Sequence, residues 1–143
     1  TGSQSAMGQS APLEGEQLGD AKEQAMFVKE AGYKSGGYKL MLKGIEDVNG
    51  SNAYVIEVQR PDGKKSTEYY DMKSSLKVRE VSSGQGMDGA PSTQTVDMSE
   101  YKAVGGVMFP QVTTVTGVFP VPFKVTITSA KVNEGIDEAI FKM

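Results

Sequence analysis

Residues 38–60, YKLMLKGIEDVNGSNAYVIEVQR, decide the fold. Apolar and polar residues alternate on both sides of Asn49-Gly50, the pattern of two half-buried strands joined by a tight turn. A two-residue turn pairs Ile45 with Tyr54 and Lys43 with Ile56. That register would send Leu40 and Leu42 to the wrong face. One extra residue on the first strand repairs the mismatch, and Gly44 can supply it. The pattern therefore predicts a bulge at Gly44.

The hairpin rhythm continues outward. A turn on Asp62-Gly63 pairs Ile56 with Tyr69 and Val58 with Thr67, and a turn at Lys73-Ser74-Ser75 pairs Tyr69 with Val78. These registers put Tyr54, Ile56, Val58, Tyr69, Leu76 and Val78 on one apolar face. Glu57, Glu68, Tyr70, Lys77 and Arg79 fall on a solvated one. Residues 82–92 read as a glycine-rich loop, and TQTVDMSEYKAV (93–104) as a strand. Gly105-Gly106 supplies a turn into VMFPQVTTVTGVF (107–119). FKVTITSAKV (123–132) is the last strand, and Ile136, Ile140 and Phe141 are tail anchors.

Upstream, residues 1–12 lack periodicity and read as an irregular segment. Residues 14–31 read as a helix, since Leu18, Ala21, Ala25 and Val28 recur at spacings of three and four. Acids gather early and Lys29 comes late, Gly19 is a weak point, and Gly32 can end the run. The predicted class is mainly β (α+β). A curled antiparallel sheet of about seven or eight strands, an incomplete barrel, packs on one N-terminal helix. Residues 13–143 form this single domain.

Composition narrows the chemistry. The 143 residues carry a net charge of -3 with scattered Lys and Arg, which argues against nucleic acid. No run approaches the roughly 18 apolar residues of an integral membrane helix. With no Cys and no His, Cys/His zinc sites, thiol nucleophiles and Ser-His-Asp triads are all unavailable.

The remaining motifs have plain readings. The adjacent glycines 105 and 106 lack the G-x-G-x-x-G spacing and the helix of a dinucleotide site, so they mark a turn. Glu57 and Glu68 fall opposite each other in the predicted register. They read as a solvated pair neutralised by Lys77 and Arg79, not as a glycosidase dyad. NEGIDEAIF (133–141) lacks the ligand order of a calcium loop. Eight Met suit pliable packing or an adaptable apolar pocket. VFPVPF (118–123) reads as a corner between strands or, alternatively, as an apolar contact loop.

Three segments follow one another in an order that resembles a known family: KGIEDVNGSNAYVIEVQRPDGKKSTEYYDMKSSLKVRE, then SEYKAVGGVMFPQVTTVTG, then KVTITSAKVNEGIDEAIF. Over about residues 38–142 the chain is similar to the later part of the bacterial lipoprotein-localisation (LolA/LolB-like, outer-membrane lipoprotein-sorting) superfamily. Similar segments also end some insulinase-like zinc peptidase chains of Bacteroidetes type. The peptidase motif H-x-x-E-H requires histidines, which this chain lacks.

The resemblance implies a half-barrel whose concave face receives acyl chains. Its candidate lining is Tyr38, Leu40, Leu42, Tyr54, Ile56, Val58, Tyr69, Val78, Val125 and Ile127. It also implies that the first strands are missing, which leaves a sheet edge to be covered by the N-terminal segment, by a second copy through self-association, or by neighbouring molecules in a crystal. The expected function is a non-enzymatic envelope domain, periplasmic or outer-membrane-associated. Its expected partner is a lipid or lipoprotein acyl chain, with no cofactor, metal or catalytic residue. The alternative is a structural or interaction module with a filled core, such as the terminal domain of a larger peptidase-like envelope protein.

Overall fold

The computed structural model describes residues 3–6, 9–26, 28–85, 89–132 and 135. The chain opens with a two-stranded ribbon, β1 (Ser3–Ala6) and β2 (Gln9–Pro12), where the sequence pattern predicts an irregular segment. Helix α1 (Gly15–Gln24) and a 3₁₀ turn (Lys29–Gly32) follow. The main sheet is an antiparallel meander of seven strands in sequence order. They are β3 (Lys39–Val48), β4 (Ser51–Gln59), β5 (Lys65–Asp71), β6 (Lys77–Gln85), β7 (Pro91–Val104), β8 (Val107–Thr116) and β9 (Phe123–Thr126). The sheet is open, with β3 and β9 at its edges. This is the mainly β class that the alternation predicts.

The founding hairpin forms as its sequence dictates. Asn49 and Gly50 both take positive φ, 54° and 85°, as a two-residue turn matched to strand twist requires. Ile45 pairs with Tyr54, and the register shifts between Leu42 and Gly44, so Leu42 faces Ile56. The bulge brings Leu40, Leu42 and Ile45 onto the face of Tyr54, Ile56 and Val58. Gly105 and Gly106 likewise reverse the chain with positive φ between paired Val104 and Val107.

The next turn departs from the predicted register. The Arg60 amide donates to the Lys64 carbonyl, so the loop is Pro61-Asp62-Gly63, three residues and not two. Proline suits the first position of such a turn, and Gly63 takes the positive φ that closes it. Ile56 consequently faces Glu68, and Tyr69 faces Val55. The turn after β5 pairs Tyr70 with Lys77 as expected, but a bulge at Val78 then sets Tyr69 opposite Arg79 and Glu68 opposite Glu80. Tyr69 therefore leaves the predicted apolar face, while Glu68, Tyr70 and Lys77 join it.

The helix is also shorter than its apolar spacing suggests. It stops at Gln24, and Val28 is extended at φ -131°, ψ 93°. Ala25 and Val28 are exposed, so they do not form the predicted contact stripe. Strand β6 runs on to Gln85, into the predicted loop, and β9 ends at Thr126, short of the predicted strand. The tail anchors Ile136, Ile140 and Phe141 lie outside the described residues.

Candidate functional site

The helix-side sheet face has a charged middle and apolar flanks. One row of directly paired residues crosses all seven strands: Leu42, Ile56, Glu68, Glu80, Val96, Val115 and Phe123. The helical segment covers the middle of this face, through charged groups on both sides.

Glu68 is 0% exposed and is the centre of the contact. Its carboxylate accepts hydrogen bonds from the Tyr33 hydroxyl at 2.6 Å and the Tyr70 hydroxyl at 2.7 Å. Lys29 lies 3.0 Å from it and Lys77 3.4 Å. Lys29 also pairs with Glu80 at 3.0 Å, and Lys77 pairs with Glu30 at 2.7 Å and Glu80 at 3.2 Å. The break after α1 is what permits this: residues 29–33 form a separate turn and deliver Lys29, Glu30 and Tyr33 to the sheet.

A second knot adjoins it, since Glu23 reaches both Lys29 and Arg60. Arg60, itself buried, donates to Asp20 at 2.5 Å and Glu23 at 3.2 Å, and is clasped by Asp62. Lys64 joins Asp20 at 3.1 Å. Gly19 sits against this guanidinium, and a Cβ there would collide with Nη2. The glycine that reads as a weak point in the helix is thus the gap through which Arg60 reaches its acids.

The electrostatics make the cluster a fastener. Burial pushes the Glu68 carboxyl up, but Lys77, Lys29 and the two tyrosine hydroxyls outweigh it and hold it below the usual carboxylate range. Burial would lower Lys77, yet Glu68 and Glu80 keep its ammonium form favoured beyond an ordinary lysine. Burial first, then Glu68, raise both Tyr33 and Tyr70. Near neutral pH Glu68 stays ionised and both tyrosines stay protonated. None of these three is poised to exchange a proton, so the cluster favours docking over acid–base chemistry. The Glu57–Glu68 pairing expected from sequence is absent, because Glu57 faces Thr67 on the other side of the sheet.

Beside the cluster runs an open groove of about 930 Å³. Gln17, Asp20, Glu23 and Lys29 form its helical wall, and Ser66, Ser82, Gln94 and Val96 are part of its sheet wall. Most of the residues that line it are polar or charged.

The predicted lining residues separate into groups. Leu40, Leu42 and Tyr54 are exposed (54, 64 and 40%) on one continuous strip of β3–β4, with Ile56 half-buried beside them. Val58 is buried, and Tyr38 stacks near Tyr33 with ring centroids 4.8 Å apart. Tyr69 is on the far face, and Val78 occupies the β6 bulge. Val125 and Ile127 lie at the opposite edge, exposed. Ile45, 54% exposed, completes the β3–β4 strip. Its pairing with Tyr54 across Asn49-Gly50 was the signal that would have added it. The ionic cluster had a subtler signal, the Pro61 that lengthens the turn.

No protein-family model matches the sequence, and no curated protein does. Two solved structures share the fold. One is a DUF1329 family protein from Desulfovibrio piger, with 18% identity and a TM-score of 0.54 over 73% of this chain and 45% of that one. The other is described as an outer membrane lipoprotein-sorting protein domain from Vibrio parahaemolyticus, with 16% identity and a TM-score of 0.54 over 73% of this chain and 46% of that one. The chain thus spans less than half the length of either. It shares its fold with a domain described as lipoprotein-sorting, the architecture that the turn order resembles.

Proposed function

We propose that this chain is a non-enzymatic cell-envelope domain that holds an apolar ligand of the acyl-chain class. The ligand lies on the part of the helix-side sheet face that α1 leaves open. The observation that carries this reading is the strip of Leu40, Leu42, Ile45 and Tyr54, four large apolar side chains exposed together on one face. The fold shared with a lipoprotein-sorting domain supports it, and we place the domain by the same likeness in the periplasm or at the outer membrane. No helix among the described residues is long and apolar enough to cross a membrane.

The ligand belongs on the open strip and not under the helix, because the groove there is lined mostly by polar and charged residues and lies against the ionic cluster. An acyl chain on an open strip loses water on one side only. It then gains about half of the roughly 0.8 kcal/mol per methylene of full burial. Some sixteen methylenes give about 6 kcal/mol, a Kd of roughly tens of micromolar. Titration with a fluorescent fatty-acid probe tests this. Saturable binding that Leu42→Lys weakens supports the reading, and no binding at millimolar probe refutes it.

The ionic cluster under the helical segment also favours a second reading. In that reading the strip is covered by another part of a larger envelope protein, and the domain is an interaction module. Competition between such a segment and the fatty-acid probe separates the two.

A further inference from the structure

We infer that the free edge of β3 pairs with β3 of a second copy, antiparallel about a two-fold axis between Leu42 and Lys43. β3 is an edge strand ten residues long, so among the described residues one side of its backbone has no partner strand in the sheet. Such an edge is a template for strand addition. Its charges are segregated: Lys39 and Lys43 in the first half, Glu46 and Asp47 in the second. An antiparallel copy therefore sets positive against negative at both ends, which is the self-complementarity a two-fold interface needs.

The bulge selects the register. Lys39 faces Gln59 and Glu46 faces Ala53, alternate positions on β4, so both lie on the face away from the helix. Leu40 and Ile45, opposite Val58 and Tyr54, both lie on the helix side. Pairing Lys39 with Glu46 sets Leu40 against Ile45 and Met41 against Gly44, like face with like face. Sliding the copies by one residue sets Lys39 against Asp47, which lies on the opposite face. Without the bulge, Lys39 and Glu46 would not share a face at all. The pairing also joins the two Leu40–Leu42–Ile45–Tyr54 strips into one continuous apolar surface. The inference stands on the edge itself and does not depend on what ligand that surface takes.

Sedimentation equilibrium of the full chain, at low to high micromolar concentration, tests it. A monomer–dimer equilibrium is expected. Lys39→Glu and Glu46→Lys each place like charges opposite twice per dimer, and should each weaken association about tenfold. Mixing the two variants restores both ion pairs, so the mixture should associate like the unaltered protein. The double variant should do the same. Circular dichroism checks that each variant is folded. A chain that stays monomeric throughout, or a dimer indifferent to the two single reversals, overturns the pairing. A mixture that fails to recover does so too.

Discussion

Replacing Glu68 by Leu tests whether the helical segment is fastened by charge. The substitution is similar in size and leaves the backbone ladder alone. It removes the shared acceptor of one buried and one part-buried hydroxyl, at 2.6 and 2.7 Å, and a counter-charge for Lys29 and Lys77. Each hydroxyl left unsatisfied costs about 1–3 kcal/mol. Breaking a buried ion pair costs about 3–5 kcal/mol, but here Glu80 and Glu30 remain to hold the two lysines. The apolar Leu returns part of the loss by its own burial. The expected net loss is about 3–4 kcal/mol, a large fraction of the roughly 5–15 kcal/mol that stabilises a domain. Urea denaturation followed by circular dichroism measures it. Glu57→Gln is the control: its ion pair with Lys65 is partly exposed and should cost at most about 1 kcal/mol. If Glu68→Leu costs no more than this control, the fastening argument is wrong.

Three further outcomes follow from the same geometry. The folded Glu68 carboxyl titrates below its ordinary value of 4.5, so its contribution is present above that pH and fades as pH falls through the folded value. Lys77 titrates above its ordinary 10.5, so its contribution holds below that pH and is lost as pH rises through the folded value. Stability measured against pH should therefore fall at both ends, and Glu68→Leu should flatten the acid limb. Gly19→Ala should fail to stabilise, although a helix gains about 1 kcal/mol from that exchange, because the new methyl displaces Arg60 from its acids. A rise in melting temperature would count against that packing. Gly44→Val, at φ 151°, should cost about 1–3 kcal/mol by straining the bulge, read as a lower urea midpoint.

The first hairpin was legible because its turn chemistry and its alternation agree. Asn49-Gly50 fixes the pairing, and the mismatch of Leu40 and Leu42 with Tyr54 and Ile56 exposes the bulge at Gly44. The next hairpin was not, because Asp62-Gly63 suggests a two-residue loop while Pro61 enforces three. That one residue flips β5, so a Tyr69 that looks buried is on the far face and a Glu68 that looks solvated is at the centre. Alternation reports which residues share a face. It does not report that a face is held by ions, and the ionic cluster draws on residues far apart in sequence, such as Lys29, Glu68 and Glu80. The helix misled for a related reason: its short apolar stripe is real in sequence, but Lys29 and Glu30 dock instead of Ala25 and Val28.

The central claim, that the open strip of β3–β4 holds an acyl chain, is tested most directly by native mass spectrometry of the protein extracted from its host. The account predicts a population carrying a lipid or fatty-acid mass increment. Leu42→Lys and Ile45→Lys should each diminish it, while the exposed Val121→Lys leaves it unchanged. Protein that leaves its host bare, or that carries the same adduct in the strip variants, contradicts the account.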